Sequence, residues 1–129
     1  MGLTLSAHDF YSDINIGYIN FFNFRYFIAK SLSEKHGKLY EAIAKNRSNE
    51  LAKVLSDEWN KDCDDSLDIL LWHSDCDGRL TPKECTKIKK SLSKINVNFE
   101  GREDLEEFYE DFLDMLKHCS KRRVIMYFY

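Results

Sequence analysis

Residues 105–119 leave this chain little choice of local structure. Leu105, Phe108, Tyr109, Phe112, Met115, Leu116 and Cys119 recur at three- and four-residue spacing, which lines one face of an α-helix. The other side carries Glu103, Asp104, Glu106, Glu107, Glu110, Asp111 and Asp114. The acids gather at the helix start, with Lys117 and His118 toward its end, the order a helix dipole favours. A helix this two-faced has to bury its stripe against other elements, so the remaining chain must supply matching apolar faces.

One such face is plain. Cys85, Ile88, Leu92 and Ile95 make a second amphipathic helix of about three turns, with Lys83, Lys87, Lys90 and Lys94 outside. A short connector over 96–101 would let the two helices pack antiparallel with complementary charged rims. Each exposed ion pair would add only about 0.2–1 kcal/mol. The alternative is that the acidic face, with Glu103, Glu106, Glu107, Glu110 and Asp114, mimics nucleic-acid phosphates and enters a partner's basic groove.

Upstream, Tyr18 to Leu32 is predicted helical, with Tyr18, Phe21, Phe22, Ile28 and Leu32 on one face and Arg25 among them. Aromatics also favour strands, so Tyr18–Phe24 has a strand alternative. His36-Gly37 reads as a helix stop, followed by a short helix carrying Leu39, Tyr40, Ile43 and Ala44 to about Asn46. Ser48 would cap the next helix, which holds Leu51, Val54, Leu55 and Trp59. A polar interruption at 60–65 precedes Leu67, Ile69, Leu70, Leu71 and Trp72 on one more short helix.

Residues 3–8 alternate as a strand, Asp9 to Gly17 reads as turn, and the tail from Val124 to Tyr129 is β-prone. The tail is expected to pair with the N-terminal strand. The fold class is therefore mainly α (α+β): one compact helical domain over 1–129 with a small N-/C-terminal strand pair.

Composition excludes some functions. A length of 129 residues suffices for a single core without metal or disulfide. A net charge of −3 argues against general nucleic-acid binding. No run approaches the roughly 18 apolar residues of a membrane span, and the start lacks a basic, then apolar, signal pattern. A cytoplasmic protein with reduced thiols is expected, without a membrane partner. Met1-Gly2-Leu3-Thr4-Leu5-Ser6 formally fits a myristoylation pattern, but its alternation equally suits a strand. No P-loop, Gly-x-Ser-x-Gly or His-Glu-x-x-His pattern occurs, so the chain is expected to be non-enzymatic.

The stretch from His73 to Glu84 carries the densest set of metal-ligand types. With Gly78 as its sixth position, it has the spacing of an EF-hand calcium loop, which it resembles. Asp75 and Asp77 would give carboxylate oxygens, Arg79 its backbone carbonyl and Glu84 a bidentate carboxylate, with Leu80 pointing into the core. His73 stands where an Asp is usual, and its nitrogen suits calcium poorly. No second loop is evident. The competing reading needs no ion: Thr81 and Glu84 form a capping box around Pro82, and Asp75-Cys76-Asp77-Gly78 is good turn chemistry. A third reading takes His73, Cys76, Cys85 and Cys63 as a tetrahedral zinc set. No cofactor is required; calcium is the candidate.

The Met-Gly-Leu-x-Leu start, Phe22-Asn23-Phe24-Arg25 and the run His73-Ser74-Asp75-Cys76-Asp77-Gly78 through Leu80, Pro82, Glu84 and Cys85 together resemble a group of small uncharacterised proteins encoded by bacteria and their phages. The resemblance implies a bacterial or phage setting and transfers no catalytic residue. It makes a host protein the expected partner, and inhibition of that protein the expected role.

Overall fold

The computed structural model describes residues 2–45, 54–55, 57–59, 65–74 and 77–129. Strand β1 (Gly2–Ala7) buries Leu3 and Leu5 and turns Thr4 and Ser6 outward. It pairs antiparallel with β2 (Ile14–Gly17), with Leu3 opposite Ile16 and Leu5 opposite Ile14. The turn expected over 9–17 is thus too long. Asp13, Asn15 and Gly17 look like punctuation, but Ile14 and Ile16 between them point into the core at strand spacing. Thr4 Oγ1 donates to Asn15 Oδ1 across the outer face at 2.8 Å.

Helix α1 (Tyr18–Leu32) follows β2 directly, with the bounds and type the pattern predicts. Phe21, Phe24, Arg25, Ile28 and Ala29 form its buried face. The stop expected at His36-Gly37 comes earlier. Ser33 ends α1, and its hydroxyl accepts the His36 N–H, opening α2 (Glu34–Lys45). Gly37 lies inside α2 because α1 passes so close: a Cβ there would sit 3.1 Å from Lys30 Cα. Its signal was closeness of approach, not termination.

Residues 54–55 and 57–59 are helical, whereas Ser48 and the interruption at 60–64 fall outside the described residues. Trp59 is buried, donates through Nε1 to Asp68 Oδ1 at 2.6 Å, and meets His36 and Trp72 edge-on. Helix α3 (Asp65–Leu71) buries Leu67, Leu70 and Leu71. Its open C-terminal end is served by Arg25 of α1, whose Nη1 donates to the carbonyls of Leu70 and His73. A cation there suits the helix dipole and adds a second donor to the Leu70 carbonyl, which also accepts the His73 N–H.

The two-residue strand β3 (Arg79–Leu80) leads into α4 (Pro82–Ser93). Both halves of the capping box form: Glu84 N–H donates to Thr81 Oγ1 at 3.2 Å, and Thr81 N–H to Glu84 Oε1 at 3.0 Å. Thr81→Ala should therefore lower stability by about 1 kcal/mol, read as a drop in thermal midpoint. No change in midpoint would show that the box contributes nothing.

Helix α5 (Glu103–Arg122) buries Leu105, Phe108, Phe112, Met115, Leu116 and Cys119. The chain then turns through Arg123, left-handed at φ 58°, into β4 (Met126–Phe128). As expected, the tail pairs antiparallel with the N-terminal strand, placing Leu5 opposite Phe128 and Ala7 opposite Met126. The strand order is β2-β1-β4-β3, all antiparallel, so the expected strand pair is the centre of a four-stranded sheet. Leu3, Leu5, Ile14, Ile16, Leu80, Met126 and Phe128 face the core, and Asn15, Arg79 and Tyr127 face away. The architecture is mainly helical with a small antiparallel sheet covered on one side.

Candidate functional site

The loop between α3 and α4 is built around an imidazole. His73 Nδ1 lies 2.9 Å from the Ser74 carbonyl oxygen and Nε2 3.0 Å from that of Arg79. A neutral ring has one N–H and can satisfy one of these acceptors; the protonated ring satisfies both. The ring also packs at a tilt of 41° against Phe128 of β4, with centroids 4.1 Å apart. Gly78 is left-handed at φ 104°, and a Cβ there would lie 3.1 Å from His73 Cε1. Its carbonyl accepts the Phe128 N–H at 2.9 Å. The glycine thus serves the turn and makes room for the ring.

These contacts bear on the calcium-loop expectation position by position. Leu80 is fully buried, and Gly78 has the positive φ that the sharp turn demands. The Arg79 carbonyl lies 3.0 Å from His73 Nε2 and one Glu84 carboxylate oxygen accepts the Thr81 N–H of the cap, while the Asp77 N–H faces Ser74 Oγ at 3.4 Å. Asp75 and Cys76, like Cys63, lie outside the described residues. Among the described residues no three His, Cys, Asp or Glu side chains converge as an ion would require.

The zinc set is not brought together where it can be followed. Cys85 turns into the α4–α5 contact, fully buried and a free thiol, against Cys119. The interaction with Cys119, with burial, pushes the Cys85 thiol far above its ordinary range, and the same interaction holds Cys119 lower. Buried in the helix contact, both sulfurs pack as small hydrophobes.

One step along both helices, the Thr86 and Ser120 hydroxyls share a hydrogen bond. Contacts of this kind, with the apolar stripes, join α4 to α5. The charged rims do not: among the described residues no ion pair connects Lys83, Lys87, Lys90 or Lys94 with an α5 acid. The rims were legible as charge, but the stripes between them set the helix contact and leave the lysines on the solvent side.

The acids of α5 therefore stay available. Glu103, Glu106, Glu107, Glu110 and Asp114 are all exposed, and among the described residues none makes an ion pair within 4 Å. Asp104 differs: Arg102 grips it with two N–H···O bonds and holds its carboxyl below the ordinary range. From Glu103 to Asp114 the rail is roughly 17 Å long at a helical rise of about 1.5 Å per residue. Beyond Asp114 the helix changes sign, with Lys117, Lys121 and Arg122 and no further acid.

Among the described residues, no helix is long and apolar enough to cross a membrane. No protein-family model matches the chain, and no curated protein or solved structure matches it.

Proposed function

We propose that this protein is a non-enzymatic binding module that presents the acidic face of α5 to a basic surface on another protein. The observation carrying this reading is that Glu103, Glu106, Glu107, Glu110 and Asp114 stand exposed along one rigid helix, without an ion pair among the described residues, while the helix's other face is locked into the core. Fixed carboxylates on a rigid element need no ordering when a cationic surface arrives, and they steer its approach. The resemblance to small bacterial and phage proteins makes the partner a host protein in a cytoplasmic setting, and masking its basic groove is the simplest route to inhibition.

The test is affinity purification from bacterial cells of the wild type beside a Glu103→Lys/Glu106→Lys/Glu107→Lys/Glu110→Lys variant, with circular dichroism confirming that both fold. A defined partner should be retained by the wild type, lost by the variant and released near 1 M salt, where the screening length falls to about 3 Å. A partner held equally by both would remove α5 from the interface.

A second reading has its own support. The buried Leu80 and the positive φ of Gly78 agree with what a calcium loop needs at those two positions. On that reading a divalent cation would be held by His73, Asp75, Asp77, Glu84 and the Arg79 carbonyl. The ion would have to displace His73 Nε2 from that carbonyl, so binding would be weak.

A further inference from the structure

The β1–β2 turn folds against the basic end of α5 and leaves a cleft of about 350 Å³ between them. That is within the range of roughly 300–1,000 Å³ typical of small-molecule sites. Tyr11 stands at its mouth, 76% exposed. Its ring is nonetheless held in place: it stacks on Phe10 at 4.4 Å, and Phe10 meets His118 edge-on at 5.3 Å. His118 Nε2 hydrogen-bonds the His8 carbonyl at 2.7 Å, tying the turn to α5. Asp9 adopts a left-handed φ of 63° in the same turn, and Phe10 N–H closes it onto the Ala7 carbonyl.

Lys117, Lys121 and Arg122 line the helix side of the cleft, and among the described residues none of them makes an ion pair within 4 Å. The helix dipole accounts for cations in a last turn. It does not account for a fixed, exposed aromatic ring beside them. Asp9 and Asp114 share the lining, so the cleft offers carboxylate acceptors as well as cations. A simple anion would use the cations alone. A phosphate-bearing ring with hydroxyl or amino donors would use everything present: stacking on Tyr11, phosphate on the cations, donors on the carboxylates.

We infer that this cleft binds a nucleotide-class ligand, an aromatic ring carrying phosphate, with Tyr11 as the stacking platform and Lys117, Lys121 and Arg122 as phosphate partners. The chain's net charge of −3 disfavours long tracts of nucleic acid but not one nucleotide unit at a locally basic end. The site meets the acidic rail only at Asp114, and its phosphate and stacking contacts do not depend on the protein-binding reading.

Backbone amide NMR titration of the full chain tests this, with adenosine diphosphate as the probe and adenosine, inorganic phosphate and a short single-stranded oligonucleotide as separate arms. The diphosphate should give saturable shifts confined to residues 8–11 and 114–123. Tyr11→Ala, at an exposed position, should weaken binding roughly tenfold or more. Lys121→Ala/Arg122→Ala should weaken it and flatten its salt dependence. Adenosine or phosphate alone should bind at least about tenfold more weakly, since each lacks half of the contacts. If the oligonucleotide binds more tightly with the same dependence on Tyr11, the nucleotide unit comes from a strand. Unmoved amides at millimolar diphosphate, an unchanged response in Tyr11→Ala, or phosphate binding as tightly as the diphosphate would each overturn the proposal.

Discussion

Phe24→Ala should cost about 3–5 kcal/mol of folding stability, seen as a lower urea midpoint with little change in slope. Phe24 is fully buried, and its ring stacks on Phe99 at 5.7 Å and meets Phe108 and Phe112 edge-on at 4.8 and 5.7 Å. It is where α1, the 96–101 connector and α5 come together. Truncation removes the transfer free energy of the ring and leaves a cavity walled by other rings on helices that cannot easily collapse inward. Since a domain of this size is stable by only about 5–15 kcal/mol, this one change should consume a large share of the total. Ile19→Ala is the matched control. Ile19 lies on the same helix but is 79% exposed, so its truncation should stay within about 0.5 kcal/mol of wild type. Equal effects at the two positions would mean that α1 does not bury the face described.

The contrast between Phe24 and Ile19 also shows what the sequence could and could not say. Both are apolar residues in a segment apolar nearly all round, so periodicity could place the helix but could not name its inner face at every position. The α5 stripe was readable because seven acids mark its outer side. Thr81, Pro82 and Glu84 were readable because capping is local chemistry, and both of its hydrogen bonds formed. What was missed depends on distant partners. The end of α1 at Ser33 hides behind a glycine that serves packing against Lys30. Strand β3 exists only because β4 returns beside it, and two residues carry no periodicity of their own.

The candidate sites divide in the same way. The acidic face could be listed from sequence, but only the packing of α4 against α5 shows that the lysine rim does not reach it. The calcium-loop spacing was legible, whereas the hydrogen bond from His73 to the Arg79 carbonyl was not. Tyr11 and His118 are more than a hundred residues apart, and nothing local links them.

His73→Asp should make the protein less stable without calcium and more responsive to calcium than the wild type. In the metal-free state the substitution removes the ring that lies within hydrogen-bond distance of the Ser74 and Arg79 carbonyls and packs against Phe128. One lost hydrogen bond and one lost ring contact together should cost about 1–3 kcal/mol. The new carboxylate also joins Asp75 and Asp77 in a short loop, and like charges add to that cost. Calcium should reverse the sign. The variant supplies an oxygen ligand at the first position and frees the Arg79 carbonyl at the seventh, so two obstacles fall with one change. Binding only to the folded state raises stability by mass action, about 2.7 kcal/mol when free calcium is a hundredfold above the dissociation constant. Thermal melts of wild type and variant, each with chelator and with millimolar calcium, read both effects. The expected pattern is a lower midpoint for the variant in chelator and a larger rise for it with calcium. Adding Asp77→Ala to the variant should abolish that rise. A variant that melts with the wild type in chelator would deny the ring its structural role. An unstable variant that calcium fails to rescue would leave 73–84 as a capped turn, in which the histidine fills the place an ion would otherwise take.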